Sequence, residues 1–243
     1  MFKKPVKPED VFSNFSADYR QAFQKDLESI ILFGSGARGD YIPGRSDLNF
    51  LIVLSEEGMM RLDTLSALTA KWRKSKVATP LFMSEGDIMS SIDAYPIEFL
   101  NIKRHYQTIF GKDVMAAIEF DPTHLRLQCE RELKGKSLLL LERYTEAEGS
   151  AKRIQKLIAE SITAFLSIFR ALLYLKGIDA PSEKRDLVRI TAENYGIDIK
   201  TFLKCIDVKD GILKFSNEET KRLFHRYVKE VRTLTREIDK LGI

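Results

Sequence analysis

The 243-residue sequence predicts an α+β protein, in which a mixed sheet with flanking helices precedes a C-terminal helical bundle. Short apolar runs at residues 29–33 and 48–54 are bounded by glycine, proline and polar residues, as strands are. From about Asp121 onward, apolar residues instead recur with the spacing of helices. We therefore predict two domains, an α+β domain at residues 1–120 and a helical bundle at residues 121–243.

The first domain is predicted to alternate helices and strands, because its apolar runs are short and change their period along the chain. The predicted helices are 13–28, 58–75 and 87–94, and the predicted extended segments are 29–33, 48–54, 77–83, 96–102 and 107–110, the last of which ends at Gly111. Such an order favours a sheet covered by helices.

The second domain is predicted to be helical throughout. Residues 154–173 carry apolar side chains on too much of their circumference for a surface helix, so this segment should be the centre of a bundle. Lys176-Gly177 fits the end of that helix, and Asp179-Ala180-Pro181 fits a connecting turn. The flanking helices are predicted at 123–147, 183–195, 199–206 and 217–241.

The charge balance limits the choice of partners. The formal net charge is only +4, and acids and bases are mixed along most of the chain, which does not favour a nucleic-acid partner. The last helix is an exception, because lysine and arginine outnumber acids there. The exposed face of a terminal helix explains this excess most simply.

The cysteines and the N-terminal segment indicate a compartment. Cys129 and Cys205 have no second cysteine or histidine at metal-ligand spacing, so we expect reduced core residues. The N-terminus places proline and acids where a secretory signal has its apolar stretch, and we expect no membrane span. We therefore predict a soluble cytoplasmic protein without a membrane partner.

A glycine-rich segment between the first two strands carries most of the functional information. Gly34-Ser35-Gly36-Ala37-Arg38-Gly39 satisfies the dinucleotide fingerprint G-x-G-x-x-G, and Glu56 could act as its ribose-binding acid. However, Pro43-Gly44 leaves too little room for the helix of a parallel crossover. A P-loop is also disfavoured, since no Gly-Lys-Ser/Thr follows. The possibility that this segment is only a glycine-rich turn without a ligand stays open.

The order of residues in this segment indicates a different family. Gly34-Ser35 directly follows an apolar strand, a helical turn fits residues 35–40, and Ser46-Asp47 enters the next strand as Asp47-Leu48-Asn49. This order and spacing resembles the signature of the nucleotidyltransferase (polymerase β-like) superfamily. The resemblance implies that the Gly-Ser turn grips a triphosphate and that an Asp-x-Asp pair on the next strand holds magnesium.

The residue types of the turn suit phosphate binding. Glycines let the backbone approach phosphate oxygens, amide groups at a helix start favour negative charge, and the Ser35 hydroxyl adds a donor. Nucleotide contacts are therefore expected at Gly34, Ser35, Arg38 and Arg45, with the two arginines supplying charge for the outer phosphates. As surface residues, the same arginines could instead be solvated partners of Asp40.

The metal ligands and catalytic residues implied by the resemblance are Asp47 and Asn49. Residues two apart in a strand point to the same side, so both should face the cleft while Leu48 faces the core. Family catalysis uses two magnesium ions, and the α-phosphoryl group passes in line with loss of pyrophosphate. Two such ions about 4 Å apart repel by roughly 16 kcal/mol at an effective dielectric of about 20.

The charge available to offset that repulsion is reduced in this sequence. Asn49 offers a carbonyl oxygen but no charge, and the segment 77–84, where the family places a third acid, contains none. Glu85, Asp87 and Glu98 are nearby candidates for a surrogate. A single magnesium ion carried by a triphosphate can still bind, because magnesium commonly keeps water and substrate ligands.

The resemblance extends beyond the turn. Residues 95–106 and 109–113 look like the last strand region of bacterial minimal and aminoglycoside-type nucleotidyltransferases, in which a helical C-terminal half is usual. We expect magnesium-dependent binding of a nucleoside triphosphate and transfer of a nucleoside monophosphate to a hydroxyl of a small molecule or protein, with an altered metal site. The alternative is a non-catalytic nucleotide sensor or regulatory interaction module on the same fold.

The helix predicted at 123–147 has two interpretations. Arg126 and Arg131 could contact an acceptor substrate. A surface helix with ion pairs between residues four apart would have the same pattern. The sequence leaves this choice open, together with the identity of the nucleotide and the oligomeric state.

Overall fold

The structure is a computed structural model, and it describes residues 9–39, 41–42, 46–213 and 215–242. The chain divides into two compact units. The first contains the residues up to Ala94 together with Glu98–Phe120, and the second contains Tyr95–Ile97 and the residues from Asp121 onward.

The first half of the described chain contains the strands. Its elements are α1 (Glu9–Phe23), a 3-10 turn (Gln24–Asp26), β1 (Leu27–Phe33), α2 (Ser35–Arg38), β2 (Asn49–Leu54), α3 (Glu56–Met59), a second 3-10 turn (Leu62–Leu65), α4 (Ser66–Arg73), β3 (Leu81–Met83), α5 (Glu85–Ser91), α6 (Pro96–Arg104) and β4 (Tyr106–Gly111). This order confirms the predicted α+β class.

The described strands form one mixed sheet in the order β3-β2-β1-β4. β1 pairs with both β2 and β4 in antiparallel fashion, whereas β2 and β3 are parallel. In the first of these pairs, Phe33 at the end of β1 lies opposite Asn49 at the start of β2. The antiparallel connection excludes the dinucleotide-binding interpretation of the glycine-rich segment, because that fold requires a parallel crossover.

One face of this sheet packs against α1. The buried residues of α1 recur every fourth position, at Val11, Phe15, Tyr19 and Phe23, so they form one continuous stripe. The ring of Phe15 stacks on the ring of Phe50 from β2, with centroids 4.1 Å apart. Burial of each such side chain contributes about 1.5–3 kcal/mol, so this layer fixes the sheet on which the functional segment is mounted.

Residues 96–102, which the sequence predicts as extended, form the first part of α6, so that prediction was wrong. Pro96 occupies the start of the helix, where its missing N–H costs nothing. The backbone N–H of Ile97 donates to Oε1 of Gln128 at 2.7 Å, which satisfies a donor that has no acceptor within the helix. The apolar residues of this segment fit either period over so short a length, and tertiary packing decides for the helix.

Two further elements are shorter than predicted. The strand expected at 77–83 is confined to β3, and Val77 forms only an isolated parallel bridge with Leu48. Pro80 explains the late start, since it cannot donate a hydrogen bond to a sheet. The helix expected at 58–75 is interrupted, and consists of the end of α3, a 3-10 turn and α4.

The second half of the described chain is helical, as predicted. Its helices are α7 (Pro122–Glu146), α8 (Ala151–Leu175), α9 (Lys184–Tyr195), α10 (Ile199–Asp210) and α11 (Asn217–Asp239). α8 contacts each of the other four, and its buried residues include Ile158, Phe165 and Phe169. It is therefore the centre of the bundle.

Within the described residues, α8 is the one helix long and apolar enough to cross a membrane by length and composition alone. Its burial gives another reason for that composition, since 56% of its most apolar window lies inside the protein. The apolar character of α8 is that of a core helix.

The surface of α7 shows the ion pairs that one of its two interpretations predicts. Arg126 pairs with Glu130 at 3.0 Å, and Lys136 pairs with Glu132 at 2.9 Å, each pair being four residues apart. Glu130 also pairs with Lys134. These contacts account for the alternating charges of this helix without a ligand.

Candidate functional site

The turn after β1 depends on glycine at both of its ends. Gly34 has φ 75° and ψ −145°, and Gly39 has φ 85° and ψ 5°, so both adopt conformations that other residues rarely enter. Between them, the amides of Ala37 and Arg38 both donate to the carbonyl oxygen of Gly34, at 3.2 and 3.0 Å. The result is the four-residue helix α2, which places Ser35 at its first position.

The backbone of α2 lies close against the two strands that it connects. A Cβ on Gly36 would lie 2.9 Å from Cδ2 of Leu48 and 3.2 Å from Cδ1 of Leu32. Real Cβ atoms do not approach other heavy atoms so closely, so this glycine lets the turn pack directly on the end of β1 and the approach to β2.

The side chain of Asn49 links the turn to Asp47. Because Asn49 lies opposite Phe33, it comes alongside the next residue, Gly34. A Cβ on Gly34 would lie 3.2 Å from Nδ2 of Asn49. The same Nδ2 donates to the backbone oxygen of Asp47 at 3.5 Å. The first glycine of the turn and the Asp-x-Asn segment therefore form one site.

Asp47 is held at the start of β2 by contacts of the loop before it. The backbone N–H of Ile42 donates to Oγ of Ser46 at 3.0 Å, and the N–H of Ser46 donates to the carbonyl of Ile42 at 2.8 Å. On its other side, Leu48 is hydrogen-bonded to Lys76 and Ala78. The carboxylate of Asp47 is exposed, so it can bind a ligand from solvent.

Tyr41 lies at this site, although no pattern in the sequence indicates it. Its half-buried side chain packs against the core of the first unit. Burial raises the pKa of the Tyr41 hydroxyl above its usual value, and the negative charge of Asp47 raises it further. The charge of the Asp47 carboxylate therefore acts on the Tyr41 hydroxyl. The two residues are six positions apart, and this spacing alone does not indicate that they lie close together.

Lys76 is a second residue that sequence analysis did not select. Its carbonyl accepts from the amide of Leu48 at 2.8 Å, so its backbone lies beside the residue between Asp47 and Asn49. The backbone of Lys76 has φ 62°, which is strained for a residue with a side chain. Strain of this kind concentrates at functional sites, and Lys76 places an exposed cation at this edge of the sheet.

The structure brings most of the predicted site residues together. Gly34, Ser35 and Arg38 lie on the turn, Asn49 is the first residue of β2, and Asp47 precedes that strand by two residues. Arg38 is half-buried at the end of α2. Arg45 lies outside the described residues, as do Asp40, Pro43 and Gly44.

Two of the acids considered as surrogate ligands lie at the other end of the sheet. Met83 is aligned with Val53 in the parallel pair, so Glu85 and Asp87 follow the end of β2, whereas Asn49 begins it. At about 3.3 Å per residue, β2 separates these positions by about 17 Å. Neither acid can therefore join Asp47 in binding one metal centre.

Both acids already have partners where they lie. Glu85 pairs with Lys112 at 2.6 Å. Asp87 accepts from the backbone N–H of Ser84 at 2.9 Å within a capping box, and the hydrogen bonds with Ser84 lower the pKa of its carboxyl. These contacts explain both side chains as structural.

The metal-binding donors of the site are thus few. β3 consists of Leu81, Phe82 and Met83 and contributes no acid, and Glu98 is exposed on α6. No cluster of three or more His, Cys, Asp or Glu side chains suited to a metal ion occurs among the described residues. At the turn itself, Asp47 supplies a carboxylate and Asn49 an amide.

Comparisons with known proteins agree with this geometry. Residues 15–109 match the model of the nucleotidyltransferase domain family. No curated protein matches the chain. Among solved structures, the chain is similar to the spectinomycin adenyltransferase from Enterococcus faecialis with ATP and spectinomycin, at 15% identity and a TM-score of 0.51. That likeness covers 91% of this chain and 98% of the other.

A structural similarity at 15% identity shows the fold alone. The assignment to a family therefore depends on residues 15–109, which match the family model. That segment includes most of α1, the glycine turn, Asp47-Leu48-Asn49 and most of β4. Residues 15–109 of this chain therefore form a nucleotidyltransferase domain.

Proposed function

We propose that the chain binds a nucleoside triphosphate with one magnesium ion at the turn site, defined as Gly34, Ser35, Arg38, Asp47 and Asn49. We further propose that it transfers the nucleoside monophosphate slowly to a hydroxyl acceptor. The observation that carries this proposal is the position of the Asn49 amide between Gly34 and Asp47. It joins a phosphate-binding turn to a metal ligand, but supplies an amide where a second carboxylate would be needed.

The turn suits the phosphate groups of such a ligand. Without a side chain at Gly34, phosphate oxygens can approach the backbone. The Ser35 hydroxyl and the first amides of α2 can donate to them, since these amides have no acceptor within the helix. Arg38 at the end of α2 and Lys76 beside Leu48 supply positive charge.

The donor set fits one magnesium ion but not two. One ion can take the Asp47 carboxylate and the Asn49 amide oxygen, with phosphate oxygens and water completing its octahedral shell. Among the described residues, β2 and β3 offer a second ion no further carboxylate, so the repulsion between the ions would not be offset. When bound, a single ion neutralises part of the triphosphate charge and orients it.

The reaction proposed is an in-line displacement. The acceptor hydroxyl attacks the α-phosphorus, its oxygen forms the new P–O bond, and pyrophosphate leaves with the electron pair of the broken bond. The turn holds the triphosphate in register while Asp47 fixes the orientation of the α-phosphate. Turnover is slow because, among the described residues, neither β2 nor β3 carries a carboxylate that could take the proton of the hydroxyl, which passes to water instead.

A specific observation favours the alternative, a nucleotide sensor without catalysis. Glu85 and Asp87 lie at the opposite end of β2 from Asn49, and β3 has no acid. Nucleotide binding requires fewer charges than catalysis, so a sensor would retain the turn and lose the acids. The release of pyrophosphate distinguishes the two functions.

The acceptor is proposed to be a small molecule with hydroxyl groups. This follows from the similarity of the whole chain to an adenyltransferase whose structure holds ATP and spectinomycin. We also propose residues 1–120 as the nucleotidyltransferase domain and 121–243 as the helical domain. A cytoplasmic location is proposed from Cys129 and Cys205, which are free and buried.

Calorimetric titration with ATP, with and without magnesium, tests the binding. Binding at the turn site is expected to require magnesium and to weaken at least about tenfold in Asp47→Ala, a loss of about 1.4 kcal/mol. Asp93→Ala, which removes an exposed carboxylate elsewhere in the first unit, should bind like the wild type. Equal binding by both variants would refute the site, and absence of binding by the wild type would refute the ligand.

A pyrophosphate-release assay with the same proteins tests the reaction. Slow release above the Asp47→Ala background supports a transferase. Nucleotide binding without release supports the sensor.

A further inference from the structure

The helical unit contains a cavity of its own, between the start of α10 and the first half of α11. Its volume is about 250 Å³. Cations form much of its lining, and Phe215 and Leu223 provide an apolar part. The four cations are Lys200, Lys204, Arg222 and Arg226.

The four cations are concentrated by helix geometry. Lys200 and Lys204 are four residues apart on α10, and Arg222 and Arg226 are four residues apart on α11, so each helix presents two of them on one face. Like charges at this spacing destabilise a helix slightly. All four side chains are exposed, and no ion pair involves any of them in the part of the chain that the structure describes.

The two acids that also line the cavity are occupied by helix caps. Asp198 caps α10, where its carboxylate accepts from the amide of Lys200 at 3.0 Å and from the hydroxyl of Thr201 at 2.7 Å. Glu219 accepts from the amide and hydroxyl of Ser216 at 2.9 and 2.7 Å, in the capping box of α11. Neither carboxylate therefore forms a close pair with a cation of the cavity.

The electrostatic environment agrees with this arrangement. The pKa of the Glu219 carboxyl is lowered, first by its hydrogen bonds with Ser216 and further by the charges of Arg222 and Lys204. Both cations therefore act on the same point in the cavity, although they belong to different helices. A ligand with several negative charges close together would meet cations from both sides.

We propose that this cavity binds a small ligand with two or more adjacent phosphate groups. Lys200 and Lys204 would contact it from one side, and Arg222 and Arg226 from the other. A cavity of about 250 Å³ suits a diphosphate or triphosphate group. The ligand is either a free polyphosphate or the phosphate end of a nucleotide, and the site is separate from the turn site because all of its residues belong to the helical unit.

Calorimetric titration of the full chain with inorganic pyrophosphate, in buffer with EDTA and no magnesium, tests this proposal. The chelator suppresses binding at the turn site, where we expect magnesium to be required. One saturable site per chain is expected. Lys204→Ala and Arg222→Ala should each weaken it about tenfold, because each removes a charge-assisted hydrogen bond.

Lys229→Ala is the matched control, since it removes an exposed lysine from α11 outside the cavity. The control should bind like the wild type, and all three variants should keep the wild-type melting temperature. No saturable binding, or equal weakening in all three variants, would overturn the proposal. Binding that Arg38→Ala weakens and Lys204→Ala does not would also overturn it, because it would belong to the turn site.

A parallel titration with ATP distinguishes the two sources of the phosphates. Tighter binding of ATP than of pyrophosphate, weakened by Lys204→Ala, would identify the phosphate end of a nucleotide. Tighter binding of pyrophosphate would identify a free polyphosphate. Either result supports the cavity as a phosphate site.

Discussion

Nδ2 of Asn49 lies 3.2 Å from the point that a Cβ on Gly34 would occupy. This relationship connects two requirements of the site. In the proposed site, Gly34 lets phosphate approach the backbone, and the side chain of Asn49, a proposed metal ligand, fills the space beside it. A change at either residue should therefore affect the other.

The first prediction compares two glycines of the turn. Gly34→Ala should lose about 2–3 kcal/mol of unfolding free energy, because its backbone conformation is nearly exclusive to glycine and the new methyl would displace Asn49. Gly39→Ala is the control, since its φ is also positive but a Cβ there would meet nothing within 4 Å. We expect it to lose about 1 kcal/mol.

Urea denaturation measures these losses, and calorimetry measures the binding of ATP. Only Gly34→Ala should bind ATP more weakly, because only that methyl moves the amide. If both variants lose the same unfolding free energy and Gly34→Ala binds ATP as tightly as the wild type, the position of the Asn49 side chain does not depend on Gly34.

The second prediction concerns Asn49→Asp. The new carboxylate oxygen would replace a donor that lies 3.5 Å from the backbone oxygen of Asp47, so a negative charge would lie beside a carbonyl oxygen. Without magnesium, the variant should lose about 1–2 kcal/mol of stability. Magnesium should restore that stability, and its affinity for the ATP complex should rise about tenfold.

Thermal melting with and without magnesium checks this result. Asn14→Asp, on the exposed side of α1, is the control and should show no magnesium dependence. If Asn49→Asp melts at the same temperature in both conditions, position 49 is not a metal ligand. New pyrophosphate release by this variant would identify the native site as a weakened catalyst.

The third prediction uses Tyr41 as a reporter of charge at Asp47. Negative charge at Asp47 contributes to the raised pKa of this phenol, so a magnesium ion bound at Asp47 in the absence of nucleotide should lower it. Asp47→Ala should lower it too, although burial will keep it above the usual value. NMR titration of ring-labelled tyrosine, assigned with Tyr41→Phe, measures the shift. An unchanged pKa upon binding would place the metal ion elsewhere.

The fourth prediction is a loss of stability at alkaline pH. Burial raises the pKa of Tyr19 to about 12 in the folded protein, from 10.0. The unfolded chain therefore releases this proton at a lower pH than the folded chain does. The stabilising effect of protonated Tyr19 is complete below pH 10 and declines as the pH rises toward 12. A difference of two pKa units corresponds to about 3 kcal/mol.

Fluorescence of Trp72, the single tryptophan of the chain, reports unfolding of the first unit because its side chain is buried there. Urea midpoints measured from about pH 9 to 12 should fall less steeply in Tyr19→Phe. Identical slopes in both proteins would show that this tyrosine is not the group responsible.

The elements that the sequence predicts correctly are those with local causes. β1 and β2 are continuous apolar runs, and the turn between them needs glycine at Gly34 and Gly39 for its backbone alone. α6 was predicted as extended because Pro96 and a short apolar segment carry no clear period. Its helical conformation depends on packing and on an acceptor from Gln128, which lies far away in sequence.

The residues of the site also divide into those that a local pattern predicts and those that depend on tertiary structure. Gly34, Ser35, Asp47 and Asn49 follow from a linear pattern, and the structure places them together. By contrast, the distance between Asn49 and Glu85 depends on the register of β3, which no local pattern determines.

Tyr41 and the basic cavity were missed for a related reason. The arginines of α11 look like an ordinary exposed helix face until α10 is packed beside them, because half of the cations come from the neighbouring helix. Tyr41 lies near Asp47 because the neighbours of these residues, Ile42 and Ser46, are hydrogen-bonded to each other.

The number of divalent ions bound together with the nucleotide decides between a one-ion site and a two-ion site. Electron paramagnetic resonance can count manganese ions bound to the chain when it is saturated with a non-hydrolysable ATP analogue. The reduced donor set predicts one tightly bound ion per nucleotide, held about tenfold more weakly in Asp47→Ala. Two tightly bound ions in the wild type, or equal affinity in Asp47→Ala, would contradict the account.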